Sequence, residues 1–155
     1  MVLFKASGKT YSRVVRQQIH AFAYSPAEVR RDEFVLLSKN REDCASTEAQ
    51  IQFVAKLGEV RAATAEELDR YFPHVDAPNR WGVLARLYWS RRLDRPFNLT
   101  HVKGLNARRY DTVQEFARLD ESDELLLFQF LCETNPRVVM DFVNNAEDPE
   151  SEGIP

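Results

Sequence analysis

A chain of 155 residues and 18.0 kDa has the length of one ordinary domain, and 44% hydrophobic with 29% charged residues supplies apolar area for a core. That composition excludes a disordered, collagen-like or disulfide-scaffold protein, and no apolar run approaches the roughly 18 residues a membrane span needs. The net charge of −3 hides three blocks: residues 1–79 balance, residues 80–110 carry eight Lys/Arg against Asp94 alone, and residues 111–155 carry two Arg against twelve acids.

Met1 to Lys5 turns polar too early for a secretory signal, so a cytoplasmic protein is expected. Val2 to Ala6 is a short β-prone run closed by Ser7-Gly8, which predicts a strand and a turn. Between Tyr11 and Tyr24, Val14, Val15, Ile19, Phe22 and Ala23 fit a helical stripe until Ser25-Pro26 ends it. Glu33 to Ser38 contains the continuous apolar run Phe34-Val35-Leu36-Leu37, the pattern of a strand buried on both faces. Gln50 to Leu57 alternates instead, with Ile51, Phe53, Ala55 and Leu57 on one face of a half-buried strand.

Thr64-Ala65-Glu66-Glu67 is a capping box, so a short helix runs from it to about Tyr71 and stops at Phe72-Pro73. After a loop over 73–80, Trp81, Val83, Ala85, Leu87 and Trp89 recur at period two, with Arg86 and Tyr88 on the opposite face. Pro96 to Leu99 reads as extended, and Asp111 with Gln114 can cap a short helix through Leu119. Ser122-Asp123-Glu124 opens a helix over Asp123 to Phe130, and Asn135-Pro136 caps a last one to about Val143. Residues 1–143 therefore form one domain, and the acidic segment 144–155 reads as a disordered tail. Strands mixed with short helices, without a βαβ rhythm, predict an α+β fold with a small, mostly antiparallel, curled sheet.

Most chemical motifs fail on spacing. Ser7-Gly8-Lys9-Thr10 mimics the end of a phosphate-binding loop, yet Leu3 stands where such a loop needs its first glycine. His20, His74 and His101 are scattered, Cys44 and Cys132 have no partner spacing, and no glycine-framed serine elbow occurs. No cofactor or metal is expected, and neither is a hydrolytic or redox enzyme. The sequon Asn98-Leu99-Thr100 carries no meaning without secretion.

What remains is Arg80-Trp81, Arg86, Tyr88-Trp89, Arg91-Arg92 and Arg95, aromatic and basic residues interleaved on one stretch. Bases stack on aromatic rings for about 1–3 kcal/mol each while Arg and Lys neutralise phosphates, so the mixture suits a nucleic-acid-binding face. Two plainer readings stand beside it. Trp81 and Trp89 share the strand's apolar face and fit a core, and the basic block can pair with the acidic C-terminal block.

The order of segments resembles the EVE-like branch of the PUA-like superfamily, relatives of the YTH domains. The resemblance rests on Asp32 to Asn40, on Gln50 to Leu57, on Tyr71-Phe72-Pro73, on Arg80-Trp81 opening a strand and on Arg95 to Leu99, together about residues 31–100. It implies a curved sheet or partly open barrel flanked by short helices, with a pocket that receives a flipped, methylated base of DNA or RNA. By the same resemblance Ser7, Lys9, Ser38, Lys39 and Asn40 surround the pocket, Tyr24, Trp81 and Tyr88 stack on the base, and Arg80, Arg91, Arg92, Lys103, Arg108 and Arg109 hold the backbone. Such readers serve restriction systems, so a nuclease partner is also implied. The expectation is a non-catalytic nucleic-acid reader. The alternatives are a protein-interaction module whose acidic tail docks on a basic partner, and an enzyme acting on a small nucleotide-like ligand.

Overall fold

The computed structural model describes residues 1–23, 29–75, 81–111, 115–145 and 148. β1 (Val2–Ala6) and β3 (Phe34–Lys39) lie parallel at the centre, Val2 facing Val35 and Ala6 facing Lys39. β4 (Ile51–Ala62) runs antiparallel to β3, β5 (Val83–Phe97) to β4, β2 (Ile19–Phe22) to β5, and β6 (Phe116–Arg118) to β1. The sheet order is β2-β5-β4-β3-β1-β6, a curled, mostly antiparallel sheet flanked by short helices, as expected for an α+β fold.

Successive residues of the central strands feed opposite cores, because side chains alternate across a pleated strand. Val2, Phe4, Val35 and Leu37 point towards α1 (Gly8–Gln17) and α2 (Ala65–Tyr71), where they meet Tyr11, Val14, Leu68 and Phe72. Leu3, Leu36 and Val54 point the other way, towards Leu127 and Leu131 of α4 (Glu121–Thr134) and Val138 of α5 (Pro136–Asn145). β3 is thus buried on both faces, as its unbroken apolar run predicts. β4 is buried on both faces too, unlike the half-buried strand expected, since Val54 joins one core while Ala55 and Leu57 join the other.

The curl comes from β4 and β5, the two longest strands, whose register slips in three places. At one slip Val54 faces Arg91 and Lys56 faces Tyr88, so Trp89 and Ser90 together oppose Ala55. Trp89 takes φ 51, and an extra residue of this kind bends the strand and raises its twist. The alternation from Trp81 to Trp89 is therefore broken: Trp81, Ala85 and Leu87 enter the α1/α2 core, while Tyr88 and Trp89, adjacent in sequence, both enter the α4/α5 core.

Three other expectations are corrected. The stripe from Tyr11 to Tyr24 is not one helix: α1 stops at Gln17, Gln18 turns at φ 57 with its N–H on Val14 O, and Ile19 to Phe22 pairs with β5. The sheet wins because Ile19-His20-Ala21-Phe22 can bury its residues against β5 and β1, and Tyr24 lies outside the described residues. In place of a helix from Asp111 to Leu119, α3 (Arg108–Asp111) is a single turn and β6 closes the open edge of β1. Asn135 precedes α5 as expected, but its side chain serves β5: Oδ1 accepts from Arg95 N–H at 2.9 Å and Nδ2 donates to Arg95 O at 3.2 Å.

The capping box of α2 forms as read, with Glu67 N–H on Thr64 Oγ1 and Thr64 N–H on Glu67 Oε1, each at 3.2 Å. Of the expected tail, Asn144 and Asn145 belong to α5 and Asp148 is buried, while 146, 147 and 149–155 lie outside the described residues.

Candidate nucleic-acid interface

The C-terminal end of β1, the start of α1, the end of β3 and the inner side of β2 surround an open cleft of about 1000 Å³. β1 and β3 are parallel, so both deliver their polar ends, Lys5 to Ser7 and Asn40, to the same rim. Lys5 Nζ donates to Tyr110 O at 2.6 Å and to Asp111 O at 3.3 Å, tying β1 to α3 across the cleft. Burial pulls the Lys5 pKa down from its ordinary value, and the nearby Asp111 charge pulls the other way.

His20 forms part of the wall, stacked on Phe22 at 4.5 Å and edge-on to Phe4 at 5.3 Å. Its Nδ1 lies 2.9 Å from Ala21 O and its Nε2 3.1 Å from Lys5 O. Burial pushes the imidazole pKa below its usual value against the upward pull of these two carbonyls. Trp81 lines the cleft from the β5 side and packs edge-on to Phe72 at 5.0 Å. At the mouth, Ser7 Oγ donates to Thr10 Oγ1 at 3.1 Å, and that hydroxyl lies 3.1 Å from His74 Nε2.

Acids share the rim with bases: Glu42, Asp111 and Glu115 accompany Lys5 and Arg41. The backbone amide of Gly8, at the start of α1, donates to Asp43 Oδ2 at 3.0 Å. A carboxylate thus already occupies the place where a phosphate would sit in a nucleotide-binding loop, which completes the case against reading Ser7 to Thr10 as one.

Of the residues assigned to a base pocket, Ser7, Asn40 and Trp81 meet at this cleft. Ser38 is buried beside it, facing a void of about 10 Å³ that shares Lys5, Arg41, Gln50 and Asp111 with the cleft. Lys9 is exposed on α1 away from the lining, and Lys39 is drawn off by Glu48 at 2.7 Å. Tyr88 lies in the other core, where its hydroxyl donates to Asp32 Oδ1. Tyr24 and Arg80 lie outside the described residues.

Among the residues assigned to phosphates, Arg91 pairs with Asp141 at 2.8 Å and Arg109 pairs with Asp120. The basic and acidic blocks therefore do pair in part. Arg92, Lys103 and Arg108 remain exposed with no ion pair among the described residues. Reading the sequence alone missed Lys5, Thr10, His20, Arg41, Asp111 and Glu115. The available signal was the polar residue at the end of an apolar strand, as at Lys5, and the histidine inside the alternating Ile19 to Phe22.

Among the described residues no group of three or more His, Cys, Asp or Glu is arranged to hold a metal, and no helix is long and apolar enough to cross a membrane.

No protein-family model matches the chain, and no curated protein matches it in sequence. Solved structures match it in shape. ASCH from Zymomonas mobilis superposes with a TM-score of 0.57 at 12% identity, over 83% of this chain and 93% of that one. A tyrosine-to-phenylalanine variant of that protein gives 0.59 at 11% identity, over 83% and 96%. A hypothetical protein from Leishmania major gives 0.54 at 12% identity, over 85% and 94%. The chain thus shares its α+β fold with the ASCH protein from Zymomonas mobilis. The resemblance read from the sequence is matched at the level of the fold, and its EVE-like branch is not confirmed by these likenesses.

Proposed function

We propose that the chain is a non-catalytic nucleic-acid-binding module that admits one extruded base into the cleft between β1, β2 and β3, with a preference for a methylated base. The observation that carries this reading is the cleft itself: about 1000 Å³, open, walled by Trp81 and His20 and rimmed by donors and acceptors. Extruding a base costs a few kcal/mol, which an aromatic wall and edge-directed hydrogen bonds recover.

The acids at the rim favour the base over the phosphate. Asp111, Glu115 and Glu42 repel a polyanion, but a carboxylate accepts well from the exocyclic amino group of cytosine or adenine. Phosphates then stay outside, where Lys103 and Arg108, on the segment leading into Asp111, and Arg92 on β5 are exposed. Short oligonucleotides with and without a single methylated base, titrated at several salt concentrations, test the reading. Tighter binding of the methylated strand, with affinity falling as salt rises, is expected; equal and weak binding of both refutes it.

A further inference from the structure

Asp148 is the one described residue beyond α5, and its side chain is only 2% exposed. Its Oδ2 receives Arg31 Nη2 and Arg86 Nη2, each at 2.7 Å. The receiving site is built into the sheet. A Cβ on Gly58 of β4 would stand 2.7 Å from Arg86 Nη2 and 2.8 Å from Arg86 Cζ, so the bare glycine lets the guanidinium lie against the strand. Tyr88 lies under Arg86, 5.9 Å from ring centre to Cζ, and Lys56 Nζ sits over both Tyr88 and Phe142, at 5.7 and 4.9 Å.

Two guanidiniums converging on one oxygen, one of them over the Tyr88 ring, is a donor set for an oxyanion; arginine binds carboxylate and phosphate with the same geometry. In the free chain the carboxylate of Asp148 fills it. We propose that Arg31 and Arg86 form a phosphate subsite for a nucleic-acid strand, occupied by the chain's own Asp148 until a backbone phosphate replaces it. The proposal rests on the nucleic-acid reading above and extends it from the base to the backbone. It also gives Asp148, within the acidic C-terminal block, a partner in the sheet.

The first arm of the test needs no nucleic acid. In the full chain carrying Asp148→Ser, which vacates the cradle, about 10 mM inorganic phosphate should raise the melting temperature by about 3–5 °C over sodium chloride of equal ionic strength. The wild type should rise less, and adding Arg86→Gln should abolish the difference. Asp148→Asn, which keeps the shape, serves if the serine variant melts too low. A variant that folds only when phosphate is present supports the subsite, and no phosphate-specific rise in either variant overturns it.

The second arm identifies the source of the phosphate. Asp148→Ser should bind a single-stranded oligonucleotide about three- to tenfold tighter, with a slope of log affinity against log salt steeper by roughly 0.7. A phosphate effect without a change of slope overturns the assignment to a nucleic-acid strand. If no variant binds any oligonucleotide, the proposed function fails instead, and the first arm still decides whether the cradle takes phosphate.

Discussion

Substituting Gly58→Ala tests how the Arg86 side chain is held, because the new methyl would fall 2.7 Å from Arg86 Nη2. That atom is the end of a flexible side chain, so Arg86 will swing away while the backbone stays, and the consequence is loss of its bond to Asp148 at 2.7 Å. A hydrogen bond to a charged group contributes about 1.5–3 kcal/mol. Arg86 is 21% exposed and Asp148 2%, so little of that is screened. Removing a glycine from a strand returns about 0.5–1 kcal/mol. The net loss is about 1–2 kcal/mol, or roughly 3–6 °C in melting temperature for a domain of this size. Thermal and urea unfolding of Gly58→Ala, Asp148→Asn and the double variant form a cycle. In the Asp148→Asn background Gly58→Ala should be neutral or slightly stabilising. An equal loss in both backgrounds, or no loss in the wild type, refutes the argument.

Trp81→Ala removes a ring that lines the cleft and supports Phe72, and urea unfolding should show about 3–5 kcal/mol lost. Trp81→Phe should keep most of that stability yet weaken oligonucleotide binding, measured by anisotropy. Glu67, held by the Arg61 guanidinium and then by Thr64, has its pKa lowered to about 2, so its contribution is complete above pH 4.5 and disappears as pH falls through 2. Carboxyl NMR titration should find that value, and Arg61→Gln should raise it. For His20 the buried ring takes its proton at lower pH than in the unfolded chain, so stability should fall as pH drops below 6.5. His20→Gln should flatten that part of the curve of melting temperature against pH.

The elements whose signals are local were legible in the sequence. The capping box fixed α2, Pro136 fixed the start of α5, and the unbroken apolar run fixed β3 as a strand covered on both faces. The misses arose where a distant strand decided the outcome. Ile19 to Phe22 continues a helical stripe by spacing, yet it becomes a strand because β5 offers it an edge. Trp89 leaves its period because a bulge against Ala55 turns it over, and no propensity of the tryptophan announces that.

The site divides in the same way. Ser7, Asn40 and Trp81 end or begin strands and could be placed at the sheet's rim from the sequence. Lys5, Asp111 and Glu115 meet only after β1 has paired with β6 and α3 has folded back over it. Tyr88 shares a stretch with Trp81 but faces the opposite core, as its even-numbered place in the alternation of Trp81, Ala85 and Leu87 requires.

Replacing one nucleotide of a bound oligonucleotide by an abasic residue asks directly whether the cleft holds a base. Affinity measured by anisotropy should rank the methylated strand above the plain one and the plain one above the abasic one, with the abasic strand about tenfold or more weaker, the worth of one stacked base. Equal affinity for all three strands, at every position replaced, contradicts the account.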